Sequence, residues 1–277
     1  MIRAIFFLLV FSLVSCAKKE AGPTKPEHLE AELIAEVTSI KPGQPFWVGL
    51  KLEMENGWHV NWLNPGDAGL APTIKWALPE GFTAGEINWP IPKRIPVGDL
   101  MLFGYEGTVL LLVEITPPTS FSDDEITLSA ACDWVVCGDV CIPGEAKLSL
   151  ELPVKNEIPK TNSQLAAEFV TSKERLTVAY SVCGLNAFET DSLIVIEYIP
   201  TVYEFPKFDS MFFFPENQGI INNASVQNLI RSGNNYRLEI ERDNLVKLLP
   251  KILRGVIVFK TSYPTHLEQG MNAEIVL

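Results

Sequence analysis

Most of the chain alternates between short apolar runs and turns that are rich in proline and glycine. Four runs in the first half have the length that is typical of strands, and the first three are also rich in β-branched and aromatic residues: 46–52, 108–116, 126–136 and 146–152. The last of them alternates apolar and polar positions, as a half-buried edge strand does. Turn signals such as Asn64-Pro65-Gly66-Asp67 separate the runs. This spacing predicts a β-sandwich over residues 30–155.

A second series of strands follows a polar, proline-containing break at 153–162. Ser163 is predicted to cap a short helix that runs to about Lys173. Further strands are expected at 176–182, 193–199, 236–241, 255–260 and 273–277. A short helix, interrupted by Pro250, is expected at 245–253. The pattern therefore predicts an all-β protein with a second, smaller β-domain at 163–277, joined to the first by a short helical linker.

The amino terminus has the pattern of an export signal. Residues 1–15 carry Arg3 before an apolar core of about ten residues, which is too short to span a bilayer. Leu13-Val14-Ser15-Cys16 then resembles the bacterial lipobox, so Cys16 is predicted to be lipidated and to anchor the mature chain to a membrane. The alternative is an ordinary signal peptide that contains a cysteine. Residues 16–29 are polar and are interpreted as a tether.

The charge of the chain limits its partners. A formal net charge of −12 disfavours nucleic-acid binding, because that function needs clustered Lys and Arg. The hydrophobic fraction of 47% is that of a folded globular protein. If Cys16 carries lipid, four cysteines remain for an oxidising compartment.

Two of these cysteines, Cys137 and Cys141, are separated by Gly138-Asp139-Val140. A three-residue connection with a glycine fits a tight hairpin, which would bring the two cysteines within disulfide distance. Cys132 should point to the opposite face of the strand from Cys137. Closing so short a loop stabilises the fold by only ~2 kcal/mol, so the bridge would be a weak structural link. Spacing alone leaves both a structural and a redox role open.

Metal binding is a weaker alternative for the cysteines. The three histidines are scattered and no paired CxxC motifs occur, so a zinc site is not expected. Cu(I) held by Cys137 and Cys141 remains open, because thiolates suit that ion. We expect no metal and no other cofactor. Asp133 and Asp139 lie near the pair in sequence and would disfavour a thiolate, which fits an electron carrier better than a strong oxidant.

Several linked motifs resemble the periplasmic N-terminal region of the DsbD family of thiol:disulfide interchange proteins, and most closely its ScsB-like branch. The central motif is Trp134-Val135-Val136-Cys137-Gly138-Asp139-Val140-Cys141-Ile142-Pro143. Further matching segments are Gly57-Trp58-His59, Asn64-Pro65-Gly66-Asp67-Ala68-Gly69-Leu70, Phe82-Thr83-Ala84-Gly85, Phe103-Gly104-Tyr105-Glu106-Gly107 and Phe212-Phe213-Phe214-Pro215-Glu216. The resemblance covers residues 30–277.

This resemblance implies two immunoglobulin-like β-sandwiches, with Cys137 and Cys141 as the redox pair. It implies a component of a protein-disulfide reductase system in the bacterial cell envelope, facing the periplasm. The pair would receive electrons from a membrane-embedded thiol reductase and pass them to periplasmic thioredoxin-like proteins through mixed disulfides. Phe103 and Tyr105 match the segment that forms an aromatic cap loop over the pair in some members.

The chain departs from that family pattern because these 277 residues include neither the multi-helix membrane domain nor the thioredoxin domain. A separate membrane protein would then supply electrons, or the scaffold would serve as a non-catalytic binding lipoprotein. Cys132 and Cys183 receive no role from the resemblance. They are interpreted either as free buried thiols or as a bridge between the domains.

Overall fold

The computed structural model describes residues 27–177, 183–200, 207–245, 248–261 and 267–277. These residues form 17 strands and one helix. The expected all-β fold with immunoglobulin-like sandwiches is therefore confirmed. The predicted signal peptide, Cys16 and most of the predicted tether lie outside the described residues.

The first β-unit contains ten strands in two antiparallel sheets. The strands are β1 (Leu29–Ala35), β2 (Phe46–Met54), β3 (His59–Gly66), β4 (Thr73–Ala77), β5 (Thr83–Ala84), β6 (Lys93–Val97), β7 (Leu100–Glu106), β8 (Thr108–Thr116), β9 (Glu125–Cys137) and β10 (Cys141–Pro153). One sheet has the order β1-β2-β8-β5. The other has the order β10-β9-β3-β7-β6, and β4 also pairs with β9. The second sheet carries the cysteines.

Alternation along β9 explains how this sheet packs. Its even-numbered residues, from Ile126 to Val136, are buried and belong to the core between the two sheets. The odd-numbered residues point to the outer face of the sheet, as the period of two requires. β10 pairs with β9 along its full length and has no second neighbour in the sheet order. The predicted edge strand at 146–152 is thus confirmed, and it begins earlier, at Cys141.

The helix α1 (Ala166–Glu174) follows the first β-unit. The predicted capping by Ser163 is wrong: the N-cap residue is Leu165, and no side chain caps the helix. Asn162 instead accepts a hydrogen bond from the backbone N–H of Gln164 at 3.2 Å, which holds the preceding turn. The helix packs on β8 through fully buried Phe169.

The second β-unit contains the remaining strands, again in two antiparallel sheets. They are β11 (Cys183–Glu189), β12 (Leu193–Pro200), β13 (Ser210–Pro215), β14 (Asn228–Ser232), β15 (Asn235–Glu241), β16 (Ile252–Thr261) and β17 (Leu267–Val276). The sheet orders are β11-β12-β15-β14 and β13-β16-β17. Most of the predicted strand at 176–182 lies outside the described residues. The domain boundaries at 30–155 and 163–277 stay a prediction.

The helix expected at 245–253 is wrong in the part of that segment that the structure describes. Residues 248–251 are irregular, and Ile252 begins β16. Pro250 lacks a backbone N–H and so disfavours a helix, while the β-branched run that follows favours a strand.

Polar side chains of Asn64, near the end of β3, and of Asp67, just after that strand, contribute to the contact between the two β-units. Asn64 donates hydrogen bonds to the carbonyls of Pro215 at 2.7 Å and Asn217 at 3.1 Å. Asp67 accepts one from the side chain of Asn223 at 2.8 Å. Asn64 is only 1% exposed, and these hydrogen bonds satisfy its buried side-chain amide.

No helix among the described residues is long and apolar enough to cross a membrane.

Candidate functional site

The β9–β10 hairpin brings Cys137 and Cys141 together as a disulfide. The two residues pair directly across the strands, and their Cα atoms are 4.1 Å apart. Gly138 and Val140 close the turn, where the N–H of Gly138 donates to the carbonyl of Val140 at 2.9 Å. The predicted three-residue hairpin is confirmed.

The two cysteines differ sharply in exposure. Cys137 is 2% exposed, whereas Cys141 is exposed at the start of β10. The neighbouring turn residue Val140 is 61% exposed. A partner that approaches the hairpin from solvent therefore meets Cys141, and Cys137 lies behind it.

Trp58 packs against the hairpin turn. A Cβ atom at position 138 would lie 3.1 Å from the Trp58 indole, so glycine permits the close approach of ring and backbone. On the other side, His28 stacks on Trp58 with ring centroids 3.9 Å apart and an interplanar angle of 8°. Glu55 holds His28 through a contact of 2.7 Å between its carboxylate and Nδ1. The indole is thus fixed beside the disulfide.

His59 is the ionisable group next to Cys137. It lies on β3, pairs with Cys137 of β9, and is 3% exposed. Burial lowers the pKa of His59, and the negative charge of Glu106 partly opposes that shift. The imidazole is therefore neutral near pH 7.

Cys132 lies on the opposite face of β9 from Cys137, as predicted. It is a free thiol in the core and is 1% exposed. Burial, with a smaller contribution from Asp133, raises the pKa of the Cys132 thiol to about 12. A bridge from Cys132 to Cys183 is therefore wrong, and the buried-thiol interpretation of Cys132 holds. Nothing is described of the Cys183 side chain.

Asp133 is closer to a cation than the sequence suggests. Lys75 of β4 lies 3.2 Å from its carboxylate, and Thr73 donates to the same oxygen at 3.3 Å. Because the pairing is between strands distant in sequence, a scan of neighbouring residues could not find it. The lysine offsets much of the negative charge that Asp133 would place near the hairpin.

The structure does not bring Phe103 and Tyr105 against the cysteine pair in this disulfide form. Both are buried on the core face of β7, while the pair lies on the outer face. Phe103 packs edge-to-face on Phe214 with centroids 5.0 Å apart. The Tyr105 hydroxyl donates to the carbonyl of Pro90 at 2.7 Å, and burial raises its pKa well above the usual value. Their role as a cap stays a prediction.

The sequence analysis missed Trp58 and His59 as parts of the site. Their only signal was the Gly57-Trp58-His59 segment among the family motifs. Their position beside the hairpin depends on the pairing of β3 with β9, which are about 75 residues apart in sequence.

A cleft of about 620 Å³ lies next to the hairpin on the same outer face. Its lining is mixed in polarity and includes Leu70, Thr73, Asp133, Val135, Pro143 and Glu145. Within the part of the chain that the structure describes, no group of three His, Cys, Asp or Glu residues could hold a metal ion.

Comparisons with known proteins connect this geometry to a family. Residues 25–153 match the family described as thiol:disulfide interchange protein DsbD, N-terminal. No curated protein sequence is significantly similar to the chain. The N-terminal periplasmic domain of ScsB from Proteus mirabilis has a similar structure, with a TM-score of 0.65 and 18% identity; the match covers 92% of this chain and 97% of that one.

Two other solved structures are much less similar. A protein of unknown function from Porphyromonas gingivalis W83 has a TM-score of 0.22 at 14% identity, covering 90% of this chain and 100% of that one. A conserved domain protein from Bacillus anthracis has a TM-score of 0.27 at 10% identity, covering 92% and 88%. With TM-scores this low, neither structure supports a conclusion about the fold or the function of this chain.

The family match spans the first β-unit and includes both cysteines, and the ScsB structure extends the similarity in fold to the second β-unit. The first β-unit is thus a domain of the family described as thiol:disulfide interchange protein DsbD, N-terminal.

Proposed function

We propose that this protein is a thiol–disulfide carrier of the bacterial cell envelope. It receives reducing equivalents from a membrane-embedded thiol reductase and passes them to thioredoxin-like partners through Cys137 and Cys141. The observation that carries the proposal is the asymmetric disulfide at the hairpin tip, which joins one exposed and one buried cysteine residue.

This asymmetry assigns an order to the exchange. The thiolate of a reducing partner attacks the exposed Sγ of Cys141, and the bond between Cys141 and Cys137 breaks. The electron pair of that bond goes to Cys137, which leaves as a thiolate and takes up a proton. A second thiolate of the partner then releases Cys141. In the opposite direction, reduced Cys141 attacks the disulfide of an oxidised partner, and Cys137 resolves the mixed disulfide.

The surroundings of the pair support exchange with a protein partner. The cleft beside the hairpin could accommodate a chain segment that flanks a partner cysteine, and its apolar rim includes Leu70, which is 67% exposed. The ScsB structure is of a periplasmic domain, which supports a periplasm-facing location. Lipidation at Cys16 would keep the carrier close to the membrane reductase.

Trapping of mixed disulfides tests the carrier function. In the Cys137→Ala variant, Cys141 has no resolving partner, so mixed disulfides with envelope proteins should accumulate on non-reducing gels. The matched Cys141→Ala variant retains only the buried cysteine and should trap far less. Equal partner capture by both variants and by the wild type would instead indicate a non-catalytic binding lipoprotein.

The reduction potential is a second, independent test. A carrier needs a potential above about −300 mV, because lower values are typical of structural disulfides that cellular reductants leave intact. Equilibration with glutathione or dithiothreitol measures it. Stoichiometric Cu(I) binding by the reduced pair that survives glutathione competition would support copper handling instead.

A further inference from the structure

Four side chains form a row across the outer face of the cysteine-bearing sheet. Glu106 of β7 pairs with His59 of β3, His59 pairs with Cys137 of β9, and Cys137 pairs with Cys141 of β10. Residues directly opposite each other on antiparallel strands have Cβ atoms about 4.5–5.5 Å apart and point to the same face. The fold therefore places a carboxylate, an imidazole and the two sulfurs in one line.

The middle of this row is closed to solvent. His59 is 3% exposed and Cys137 is 2% exposed, while Glu106 and Cys141 at the two ends are exposed. Next to His59 on β3, the Asn61 side chain donates to the carbonyls of Pro65 and Ala68 at 3.5 and 3.4 Å. A proton that moves to or from Cys137 must therefore pass through a neighbouring group rather than directly to bulk water.

The Nε2 atom of His59 is buried and has no hydrogen-bond partner within the described chain. An unsatisfied buried polar atom destabilises the folded state, and such an atom in a native structure calls for an explanation. In the disulfide form neither sulfur carries a proton to donate. After reduction, the Cys137 thiol is a potential donor at the position directly paired with His59.

On this basis we propose that His59 is the proton acceptor for the Cys137 thiol and that Glu106 positions and stabilises it. This inference rests on the proposed carrier function and adds a residue pair to its chemistry. The neutral state of His59 is the one that can accept a proton.

The steps balance as follows. Cys141 of the reduced carrier is already joined to a partner sulfur in the mixed disulfide. The Cys137 thiol gives its proton to His59, and the resulting thiolate attacks Cys141. A new bond joins Cys137 to Cys141, the bond from Cys141 to the partner breaks, and its electron pair leaves with the partner thiolate. The carrier pair is oxidised by two electrons and the partner disulfide is reduced.

Charges around the row favour this transfer. Glu106 is the charged group that raises the pKa of His59 against the effect of burial, so it stabilises the imidazolium once formed. Asp139 is the carboxylate of the hairpin turn, and Asp133 on β9 is held by Lys75. On the side of Trp58, His28 is engaged with Glu55.

The thiol of Cys137 can be followed in the full chain that carries Cys141→Ser. Alkylation by iodoacetamide, resolved to Cys137 by mass spectrometry, is measured from pH 5 to 10. Adding His59→Gln should shift the profile upward by about one pH unit, which is a roughly tenfold slower reaction at pH 7. Glu106→Gln should shift it in the same direction by less. An unchanged profile in folded His59→Gln protein would overturn the proposal.

A matched control is His28→Gln, because His28 lies near the hairpin but not in the row. Its profile should equal that of the parent, and a shift as large as that of His59→Gln would contradict the assignment. If His59→Gln does not fold, NMR of the ¹⁵N-labelled wild type decides. The His59 ring signals should differ between oxidised and reduced protein at constant pH, and identical signals would reject the coupling.

These measurements need no partner protein. Partner capture by Cys137→Ala with an unchanged alkylation profile would leave the carrier function standing and reject only the role of His59. If the alkylation profile shifts in His59→Gln but Cys137→Ala captures no partner, the role of His59 stands and the carrier function is rejected.

Discussion

At the scale of single residues, the two cysteines of β9 lie in different surroundings on opposite faces of the strand. Cys137 on the outer face lies in a disulfide and pairs with a histidine, whereas Cys132 on the core face is a free, buried thiol. Since thiolates are the reactive form, the face of the strand determines which cysteine can exchange.

The raised pKa of Cys132 predicts how its contribution to stability depends on pH. Its folded pKa of about 12 exceeds the usual value of 9.0, so the folded state holds the proton more tightly than the unfolded chain does. The raised pKa of Cys132 contributes fully to the free energy of unfolding below about pH 9. As the pH rises from 9 toward 12, this contribution falls by about 1.4 kcal/mol per pH unit. Urea unfolding of wild type and Cys132→Ala at pH 8 and 10 measures this difference. The advantage of the wild type over the variant should shrink between the two pH values. A constant difference would contradict the shift.

Trp58 is predicted to protect the pair from small reductants. Trp58→Ala removes the indole that packs on Gly138 and should open the approach to Cys137. Reduction of the disulfide by dithiothreitol should become several-fold faster, as measured by timed alkylation. Trp76→Ala is the control, since Trp76 is a half-buried indole on β4, at the far end of that strand's pairing with β9 from the hairpin. Equal acceleration in both variants would assign the effect to general loosening.

At the scale of strands and helices, local patterns predicted more than long-range pairing did. The run at 108–116 coincides with β8, and the Gly-Asp-Val turn is confirmed. Both depend on residues that are close together in the sequence, namely an apolar run and the residues of a turn. The start of α1 was predicted wrongly, because a polar residue before a helix caps it only if its side chain reaches the first turn. The His59–Cys137 pairing had no local signal at all.

The helix α1 illustrates how tertiary contacts support a short element. Nine residues are too few for a stable isolated helix, so its stability must come from docking on β8. Phe169 is fully buried there, and the Ser172 hydroxyl donates to the carbonyl of Leu110 at 2.9 Å. Lys173 adds an ion pair of 2.6 Å with Glu36. The helix is therefore fixed to the first β-unit.

Phe169→Ala should therefore cost about 3–5 kcal/mol of unfolding free energy, which is typical of truncating a buried aromatic side chain. Val170→Ala is the matched control, because Val170 lies on the same helix but is 54% exposed. Its effect should stay within about 0.5 kcal/mol. Urea unfolding followed by circular dichroism measures both. Similar losses in the two variants would show that the helix is not docked as described.

At the scale of the whole molecule, the two β-units share one continuous hydrophobic core. Aromatic rings continue across the boundary, with Phe103 of β7 against Phe214 of β13 and Trp62 of β3 edge-on to the same ring at 6.2 Å. Arg94 donates to the carbonyls of Asn223 and Ala224 at 2.9 and 3.0 Å and lies over the ring of Phe212. Phe103, one of the two residues that the family resemblance assigned to a cap, thus contacts the second β-unit.

This shared core predicts that the two β-units unfold together. A double-mutant cycle with Phe103→Leu and Phe214→Leu should give a coupling energy of about 0.5–1.5 kcal/mol, because an edge-to-face pair contributes that much beyond its buried area. Calorimetry of the wild type should show a single transition. The control cycle joins Phe103→Leu with Phe82→Leu, whose ring packs instead on Phe121 at 5.3 Å. Coupling near zero in the first cycle, together with two separate calorimetric transitions, would contradict this prediction. The second β-unit would then be an independent domain, and the contact between Phe103 and Phe214 would not stabilise its association with the first.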